Sequence, residues 1–232
     1  MGLPLYLAMT SADFAKDCPY PAYMACHFSP GGTGLSNLPR EFPKATLLLV
    51  DDSAPFSGHD SKKILRQLEE CLNLSPVGIL LDLQRPGNDE VQALCKLLTT
   101  QLSCPVIVSE LYAKGLSCPV LLPPVPLLTK LSDYLAPWKG REIWLEAAPA
   151  CQVVTVTEEG STAEDAMIDA LPAPWFREEA LFCRYHWTLE NSAARFTIQR
   201  TKEDLQNLLA AAERMGVKGA VGLYQELKEP VK

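Results

Sequence analysis

The sequence predicts an α/β fold, and specifically a compact (β/α)8 barrel with irregular helices. Short apolar runs, typical of strands buried on both faces, alternate with amphipathic helical segments through the middle of the chain. Strand–helix–strand spacing of this kind builds parallel sheet through right-handed crossovers. The chain has 232 residues, near the low end of the range for this fold. An open doubly wound sheet is the alternative arrangement.

Eight segments have the composition of core strands. The clearest is Val77–Leu83, an apolar run that reaches Asp82 near its end and is followed by Gln84 and a turn at Pro86. Polar residues that arrive only at the carboxyl end are typical of a strand buried on both faces. The predicted core strands are 3–9, 20–28, 45–50, 77–83, 105–109, 119–122, 142–147 and 219–224.

Apolar periodicity predicts helices between several of these strands. Residues 60–74 carry a continuous apolar face, and Asn88 is expected to cap a second helix. A short helix is predicted near 126–135. A further helix begins at Thr201, which has an acid three residues on, and ends before Gly216. Helices after the first, second and fifth strands are short or missing, which makes the predicted barrel irregular.

The stretch from 148 to 200 interrupts this alternation. Gln152–Thr157 and Leu181–Trp187 have the composition of strands, and Arg195–Arg200 alternates apolar and polar residues. Leu189–Ala194 is predicted to be the hairpin turn between the last two. We therefore expect a β excursion above the barrel, inserted into a single domain that spans the whole chain.

Composition excludes several classes of function. The net charge is −7, and no run of five like charges or basic patch occurs, which argues against a nucleic-acid partner. No run of about 18 apolar residues suggests a membrane span. The first residues lack the basic region and cleavage site of a signal peptide, so a cytoplasmic location is expected.

The eight cysteines are predicted to be free, mostly buried thiols of a reducing cytosol. None has C-x-x-C spacing, and the three histidines lie far from each other in sequence and from any cysteine pair. We therefore expect no zinc site, no other metal and no cofactor.

The candidate site consists of the residues at the carboxyl ends of the strands, because active sites of barrels lie at that end, the barrel mouth. Acids, amides and aromatic residues dominate there, and cations are few. This profile favours a neutral polar ligand such as a sugar, whereas a phosphorylated ligand would require backbone amides or Arg and Lys. The candidates are Thr10, His27, Asp51, Asp52, Asp82, Gln84, Glu110, Tyr112, Glu146, Tyr224, Gln225 and Glu226, with His186 added by the excursion.

Each candidate also has a purely structural interpretation. The Asp51-Asp52 pair could cap the helix that follows it. Asp82 could hydrogen-bond to neighbouring backbone. Glu110 and Glu146 could be solvated residues of the rim. His186, beside Trp187 on an alternating strand, could serve in packing.

The segment from Gly78 to Pro86 resembles a motif of chitinase-type glycoside hydrolases of family 18. The motif has the form D-G-x-D-x-D-x-E, often followed by an aromatic residue and proline, on the fourth strand of a barrel. Gly78 matches the glycine, Asp82 the last aspartate and Pro86 the proline. The segment 51–53 occupies the place of the family's S-x-G-G strand, without its glycines.

The end of the chain is similar to the closing segment of the same barrels, but the motif itself departs from the family. Residues 185–226 resemble that closing segment, and Tyr224 lies near the place of a tryptophan that forms the floor under the sugar. Val77 and Leu80 stand where the family has its first two aspartates. Gln84 stands where it has its catalytic glutamate.

The resemblance implies a barrel that handles carbohydrate without the family's usual chemistry. In the family, the glutamate protonates the glycosidic oxygen and the last aspartate positions the acetamido group of the substrate. Gln84 cannot supply that proton, although Asp82 could still orient an N-acetyl group. The leading interpretation is a pseudoenzyme of a bacterial cytosol that binds a carbohydrate or a peptidoglycan fragment.

Two other interpretations stay open. One is an active glycosidase with relocated carboxylates, in which Glu110, Glu146 or Glu226 acts as the acid and Asp82 as its partner. The other is a scaffold or interaction protein whose barrel mouth is filled by the 148–200 excursion.

Overall fold

A computed structural model describes residues 2–14, 18–41, 43, 45–167, 174–190 and 192–228. The strands, in chain order, are β1 (Leu5–Met9), β2 (Pro21–Phe28), β3 (Leu35–Ser36), β4 (Leu47–Asp51), β5 (Gly78–Asp82), β6 (Val106–Ser109), β7 (Val120–Leu122), β8 (Ile143–Glu146), β9 (Ala150–Thr157), β10 (Gly160–Asp165), β11 (Phe176–Glu178), β12 (Cys183–Glu190), β13 (Ala193–Arg200) and β14 (Gly219–Leu223). The helices are α1 (Ser61–Leu72), α2 (Asp89–Gln101), α3 (Glu110–Ala113), α4 (Leu131–Leu135), α5 (Lys202–Arg214) and α6 (Tyr224–Leu227), with 3-10 turns at Ala136–Trp138 and Glu179–Leu181.

Eight parallel strands close into a barrel. Their order is β1-β14-β8-β7-β6-β5-β4-β2, and β1 pairs in parallel with both β14 and β2. The short β3 adds an antiparallel pairing to β2 outside the ring. All eight predicted core strands are present, so the barrel prediction is confirmed and the open-sheet alternative is wrong. The apolar sequences of β4, β5 and β6 are explained by burial on both faces, one toward the barrel interior and one under helices.

Side chains of alternate strand residues fill the barrel interior. Leu49 of β4 and Leu80 of β5 belong to this interior cluster, and Trp144 of β8 packs against it. A Cβ at Gly219 would lie 2.6 Å from the Trp144 ring, so the glycine makes room for the indole. The other members of the cluster are Tyr6, Ala8, Ala22, Leu47, Ile107, Leu121 and Val221.

The predicted helices are confirmed in position, with differences at their ends. Asp60 caps α1, Asn88 caps α2, and Thr201 forms a reciprocal capping box with Asp204 at the start of α5. Gly216 follows α5 with a φ of 93°, the left-handed region that glycine tolerates. The helix predicted over 126–135 is wrong in extent, because only its last turn is helical. Four-residue helices α3 and α6 were not predicted, because they are too short for apolar periodicity.

The excursion forms a five-stranded antiparallel sheet with the order β10-β9-β13-β12-β11. The strands predicted at 152–157 and 195–200 lie within β9 and β13. The strand predicted at 181–187 begins two residues too early, because Leu181 ends a 3-10 turn and β12 starts at Cys183. The hairpin turn predicted at 189–194 is wrong in extent, since β12 and β13 stay paired up to Glu190 and Ala193. Strands β10 and β11 were missed because every one of their residues is exposed, which leaves no apolar alternation in the sequence.

Two further observations concern the cysteines and the length of the helices. Five of the eight cysteines are buried, and Cys26, Cys71, Cys95, Cys104, Cys118 and Cys183 are free thiols. Burial raises the pKa of the Cys95 thiol to about 12. Within the described residues, no helix has the length and apolarity needed to cross a membrane.

A buried arginine and a buried aspartate join the second sheet to the barrel. Arg200, which is 1% exposed, donates hydrogen bonds to the carbonyl oxygens of Val125, Leu181 and Phe182. Asp204, which is fully buried, accepts from Arg184 of β12 at 2.7 Å and from the Thr201 hydroxyl at 2.7 Å. The sheet is thus held by charge-assisted hydrogen bonds as well as by apolar packing.

Replacement Asp204→Asn is expected to lower the free energy of unfolding by about 3 kcal/mol at pH 7. The reason is that Arg184 loses its buried carboxylate partner and keeps only the exposed carboxylate of Glu203. Burial opposes ionisation of Asp204, but hydrogen bonds from Arg184 and Thr201 outweigh it and lower its pKa below 3.8. The stabilisation is therefore complete above about pH 4 and is lost as the pH falls through the folded-state pKa.

Urea denaturation at a series of pH values measures this difference. Glu203→Gln is the matched control, because Glu203 binds the same arginine but its side chain is 63% exposed. We expect the control to change stability by less than about 1 kcal/mol. Equal effects of the two substitutions would contradict the assignment.

Candidate functional site

Three carboxylates face inward at the barrel mouth. Asp51 ends β4, Asp82 ends β5 and Glu146 ends β8. Each lies two residues after a side chain of the barrel interior, and side chains on a strand alternate between its two faces. Asp51 and Asp82 are direct partners in the parallel register of β4 and β5. All three line one cavity of about 70 Å³ above the interior side chains.

A second cavity, of about 210 Å³, opens beside the first. Glu146 and Leu121 line both cavities, so the two lie next to each other at these residues. The second cavity adds Gln84 and Glu110 to the site. Its remaining lining residues are Leu83, Ser109, Leu111 and Pro123. We call the two cavities together the mouth site. Among the described residues that line it there is no lysine, arginine or histidine.

Asp82 is held by the side chain of Gln84. The Gln84 side-chain amide donates to Asp82 Oδ1 at 2.6 Å. Burial raises the pKa of Asp82, and the hydrogen bond from Gln84 opposes that rise, while the charges of Asp51 and Asp52 add to it. Gln84 therefore fixes the orientation of the Asp82 carboxylate and favours its ionised form.

Glu146 differs from Asp82 in its electrostatic environment. Burial raises the pKa of Glu146 to about 7, and the charges of Asp82 and Glu226 contribute. The structure gives its carboxyl no hydrogen-bond donor comparable to Gln84. At neutral pH a large fraction of Glu146 is therefore protonated, and the group can donate as well as accept a hydrogen bond.

Tyr134 also belongs to the surroundings of the mouth site, although the sequence did not indicate it. Its hydroxyl donates to the Pro123 carbonyl oxygen at 2.8 Å. Burial raises its pKa, and the charges of Glu110 and Glu146 raise it further. Tyr134 lies inside α4 rather than at a strand end, so strand-end reasoning does not find it.

Asp52 and Tyr112, predicted to bind ligand, instead hydrogen-bond to the turn that follows β5. Asp52 is 7% exposed and accepts from the backbone N–H groups of Gln84 at 3.0 Å and Arg85 at 2.8 Å. Arg85 donates in return to the carbonyl oxygens of Asp52 and Ser53. The Tyr112 hydroxyl donates to the Arg85 carbonyl oxygen. These contacts hold the turn that presents Gln84, and the helix-capping interpretation of Asp51-Asp52 is wrong because Asp60 caps α1.

Six other predicted residues lie outside the mouth site. The Thr10 hydroxyl donates to Asp13 Oδ2 at 3.3 Å, and His27 of β2 is in register with Asp51 of β4 but lines neither cavity. Gln225 of α6 donates to Asp13 Oδ2 at 2.7 Å, and the Lys228 ammonium lies 5.6 Å from the Tyr224 ring. His186 of β12 contacts the Pro174 carbonyl oxygen through Nδ1 at 2.7 Å. Glu226 lines a separate cleft of about 810 Å³ between the barrel and the second sheet. Glu226 influences the site only through its charge on Glu146.

The strands of the second sheet do not line the mouth site. Of the described residues of the excursion, 148–167, 174–190 and 192–200, none lines either cavity. Within the described ranges, no three His, Cys, Asp or Glu side chains are placed to hold a metal ion. The chemistry available at the mouth is therefore that of carboxyl, amide and hydroxyl groups.

No family model matches the chain, and no curated protein matches it in sequence. Solved structures do share its fold. The spore cortex-lytic enzyme SleL from Bacillus cereus has a TM-score of 0.57 at 8% identity, over 95% of this chain and 70% of SleL. SleL from Bacillus megaterium has a TM-score of 0.55 at 9% identity, over the same shares of the two chains. A chitinase from Chromobacterium violaceum has a TM-score of 0.57 at 9% identity, over 98% and 96%. At such identities the similarity establishes the fold alone.

Replacement Asp52→Ala is expected to lower the free energy of unfolding by about 1–3 kcal/mol, because two backbone N–H groups lose their acceptor. Hydrogen exchange of the Gln84 and Arg85 amides should accelerate in parallel. Asp51→Ala is the matched control, since Asp51 accepts only from the exposed Ser53 N–H in the turn. Equal stability and exchange in the two variants would contradict the supporting role of Asp52.

Proposed function

We propose that the mouth site binds a carbohydrate of the chitin or peptidoglycan type, without the standard family-18 hydrolysis. The observation that carries the proposal is the composition of the mouth site. Carboxylate and amide groups converge on two adjacent cavities, and none of the described residues that line them is a cation. Such groups accept and donate the hydrogen bonds that sugar hydroxyls require, whereas they repel phosphate.

The size of the site favours one sugar residue inside and the rest of a chain outside. The larger cavity, of about 210 Å³, is smaller than the 300–1,000 Å³ that is typical for larger small-molecule ligands. The exposed Leu111, at 44%, gives its rim an apolar surface. An oligosaccharide could thus place a terminal or distorted residue between Gln84, Glu110 and Glu146.

The fold neighbours support a carbohydrate ligand. One of them is named a chitinase, and two are named spore cortex-lytic enzymes. Gln84 supports the loss of the standard reaction, because it stands at the position of the family's acid in the resemblance and donates its N–H to Asp82. A side-chain amide has no proton to transfer to a leaving group at neutral pH.

The open mouth weighs against the scaffold interpretation. That interpretation required the 148–200 excursion to fill the mouth, and none of the described residues of the excursion lines the two cavities. Tyr224 does not line the site, so an aromatic floor at that position is not part of the proposal.

Isothermal titration calorimetry with N-acetylglucosamine oligomers and soluble glycan fragments of peptidoglycan tests the proposal. We expect binding of at least one of these, and Asp82→Ala should weaken it about tenfold or more, since a lost charge-assisted hydrogen bond costs about 1.5–3 kcal/mol. Glu190→Ala, at the exposed end of β12, is the control and should bind as the unmodified protein does.

Two results would contradict the proposed function. One is the absence of binding to both kinds of glycan. The other is binding that survives Asp82→Ala and Glu110→Ala with unchanged affinity, since the ligand would then lie elsewhere.

A further inference from the structure

The smaller cavity of the mouth site holds most of its acids. Asp51, Asp82 and Glu146 line this space of about 70 Å³, and Glu110 lines only the larger cavity. The smaller cavity is roughly half the size of an engineered cavity of about 150 Å³ that holds benzene, so it admits a substituent of a sugar rather than the ring. A sugar ring in the larger cavity can therefore reach these acids with one substituent.

The acids of the mouth site are not neutralised by a cation of its lining. None of the described residues that line the two cavities is a lysine, arginine or histidine. Arg85 follows Gln84 in the chain, but its guanidinium donates to the carbonyl oxygens of Asp52 and Ser53, and it lines neither cavity. The lining thus carries negative charge that a ligand could balance.

These negative charges act on one another. Burial raises the pKa of Glu146 to about 7, and the charges of Asp82 and Glu226 raise it further. Burial also raises the pKa of Asp82, the hydrogen bond from Gln84 lowers it, and the charge of Asp51 adds to the rise. A positive group placed in the cavity would remove this repulsion and be attracted by it.

We propose that the sugar bound at the mouth site is an amino sugar with a free, protonated amine, whose ammonium group enters the smaller cavity beside Asp82. This inference rests on the proposed binding of a glycan of the chitin or peptidoglycan type, because the amino sugars of such glycans occur with the amine either acetylated or free. The cavities define the site, and its acids decide the charge of the ligand.

The two forms of the amine differ in what they offer to carboxylates. An ammonium group has three N–H donors and a positive charge, so its hydrogen bonds to carboxylates are charge-assisted. An acetamido group has one N–H donor and no charge, and its carbonyl oxygen is a further acceptor among groups that are themselves acceptors. The smaller cavity therefore favours the free amine.

A shared metal ion suits the acids of the smaller cavity less well. Within the described residues, no three His, Cys, Asp or Glu side chains are placed to hold one ion. An ammonium group can bond directly to one carboxylate and still be attracted by the others, because the attraction between charges extends beyond contact distance. The expected ligand is thus an organic cation carried by a sugar.

Isothermal titration calorimetry of the full chain at about pH 7, where an aliphatic amine of this kind is largely protonated, tests the inference. Glucosamine oligomers are compared with N-acetylglucosamine oligomers of the same length at low salt. We expect the glucosamine oligomers to bind about tenfold more tightly, since a charge-assisted hydrogen bond replaces a neutral one. Added salt should reduce this preference by screening the charges.

A second series identifies the source of the glycan. Soluble peptidoglycan glycans are titrated before and after removal of their N-acetyl groups. A gain in affinity in this series as well as in the glucosamine oligomers assigns the site to either glycan in its de-N-acetylated form. A gain confined to one series assigns the site to that glycan.

Variants locate the ammonium group. The double variant Asp51→Asn with Asp82→Asn keeps the size of both side chains and should lose most of the preference for the free amine. The matched control is Glu164→Gln with Glu190→Gln, which removes the same charge from exposed positions of β10 and β12. It should keep the preference, although the net charge of the chain changes equally.

The possible outcomes separate the two proposals. Equal affinity for the free and acetylated forms, or tighter binding of the acetylated form, overturns the inference and leaves the proposed function intact. Absence of binding in every series overturns both. A preference that persists in the double variant, or that is lost in the control, also overturns the inference, because the ammonium group would then be attracted elsewhere on the surface.

Discussion

The closure of the barrel is the constraint on which the rest of the structure depends. Because β1 pairs with both β14 and β2, every core strand has two neighbours, and one face of each must point into a filled interior. Because successive side chains of a strand point to opposite faces, the direction of the last side chain in each strand is then fixed. Leu49 and Leu80 point inward, so Asp51 and Asp82 do as well, and the same alternation along β8 turns Glu146 toward the shared cavity.

Inward-facing carboxylates in a partly enclosed mouth are costly unless they are paired, hydrogen-bonded or protonated. The structure uses the last two solutions for different residues. Asp82 accepts a hydrogen bond from the side-chain amide of Gln84. Burial and neighbouring charges raise the pKa of Glu146 to about 7, which favours its protonated form. Two carboxyl groups of one site thus differ in the ease with which they hold a proton, which is the condition for acid–base chemistry.

Apolar runs that end in polar residues were enough to predict the eight strands, because burial on both faces of a strand gives it an almost wholly apolar composition. The supporting role of Asp52 could not be predicted, since the two backbone N–H groups that donate to it lie 32 and 33 residues further along the chain. The separation of Tyr224 from the mouth site could not be predicted either, because a short helix begins at Tyr224 where the sequence suggested that the strand continues. The exposed strands β10 and β11 left no periodic signal at all.

The most direct measurement is a titration of the Glu146 carboxyl carbon by NMR, in the unmodified protein and in Asp82→Asn. If the two groups share the mouth cavity, Glu146 titrates near pH 7 in the unmodified protein and at a lower pH in the variant, since the negative charge of Asp82 has been removed. Titration near the ordinary value of 4.5 in both proteins would contradict this account of the site.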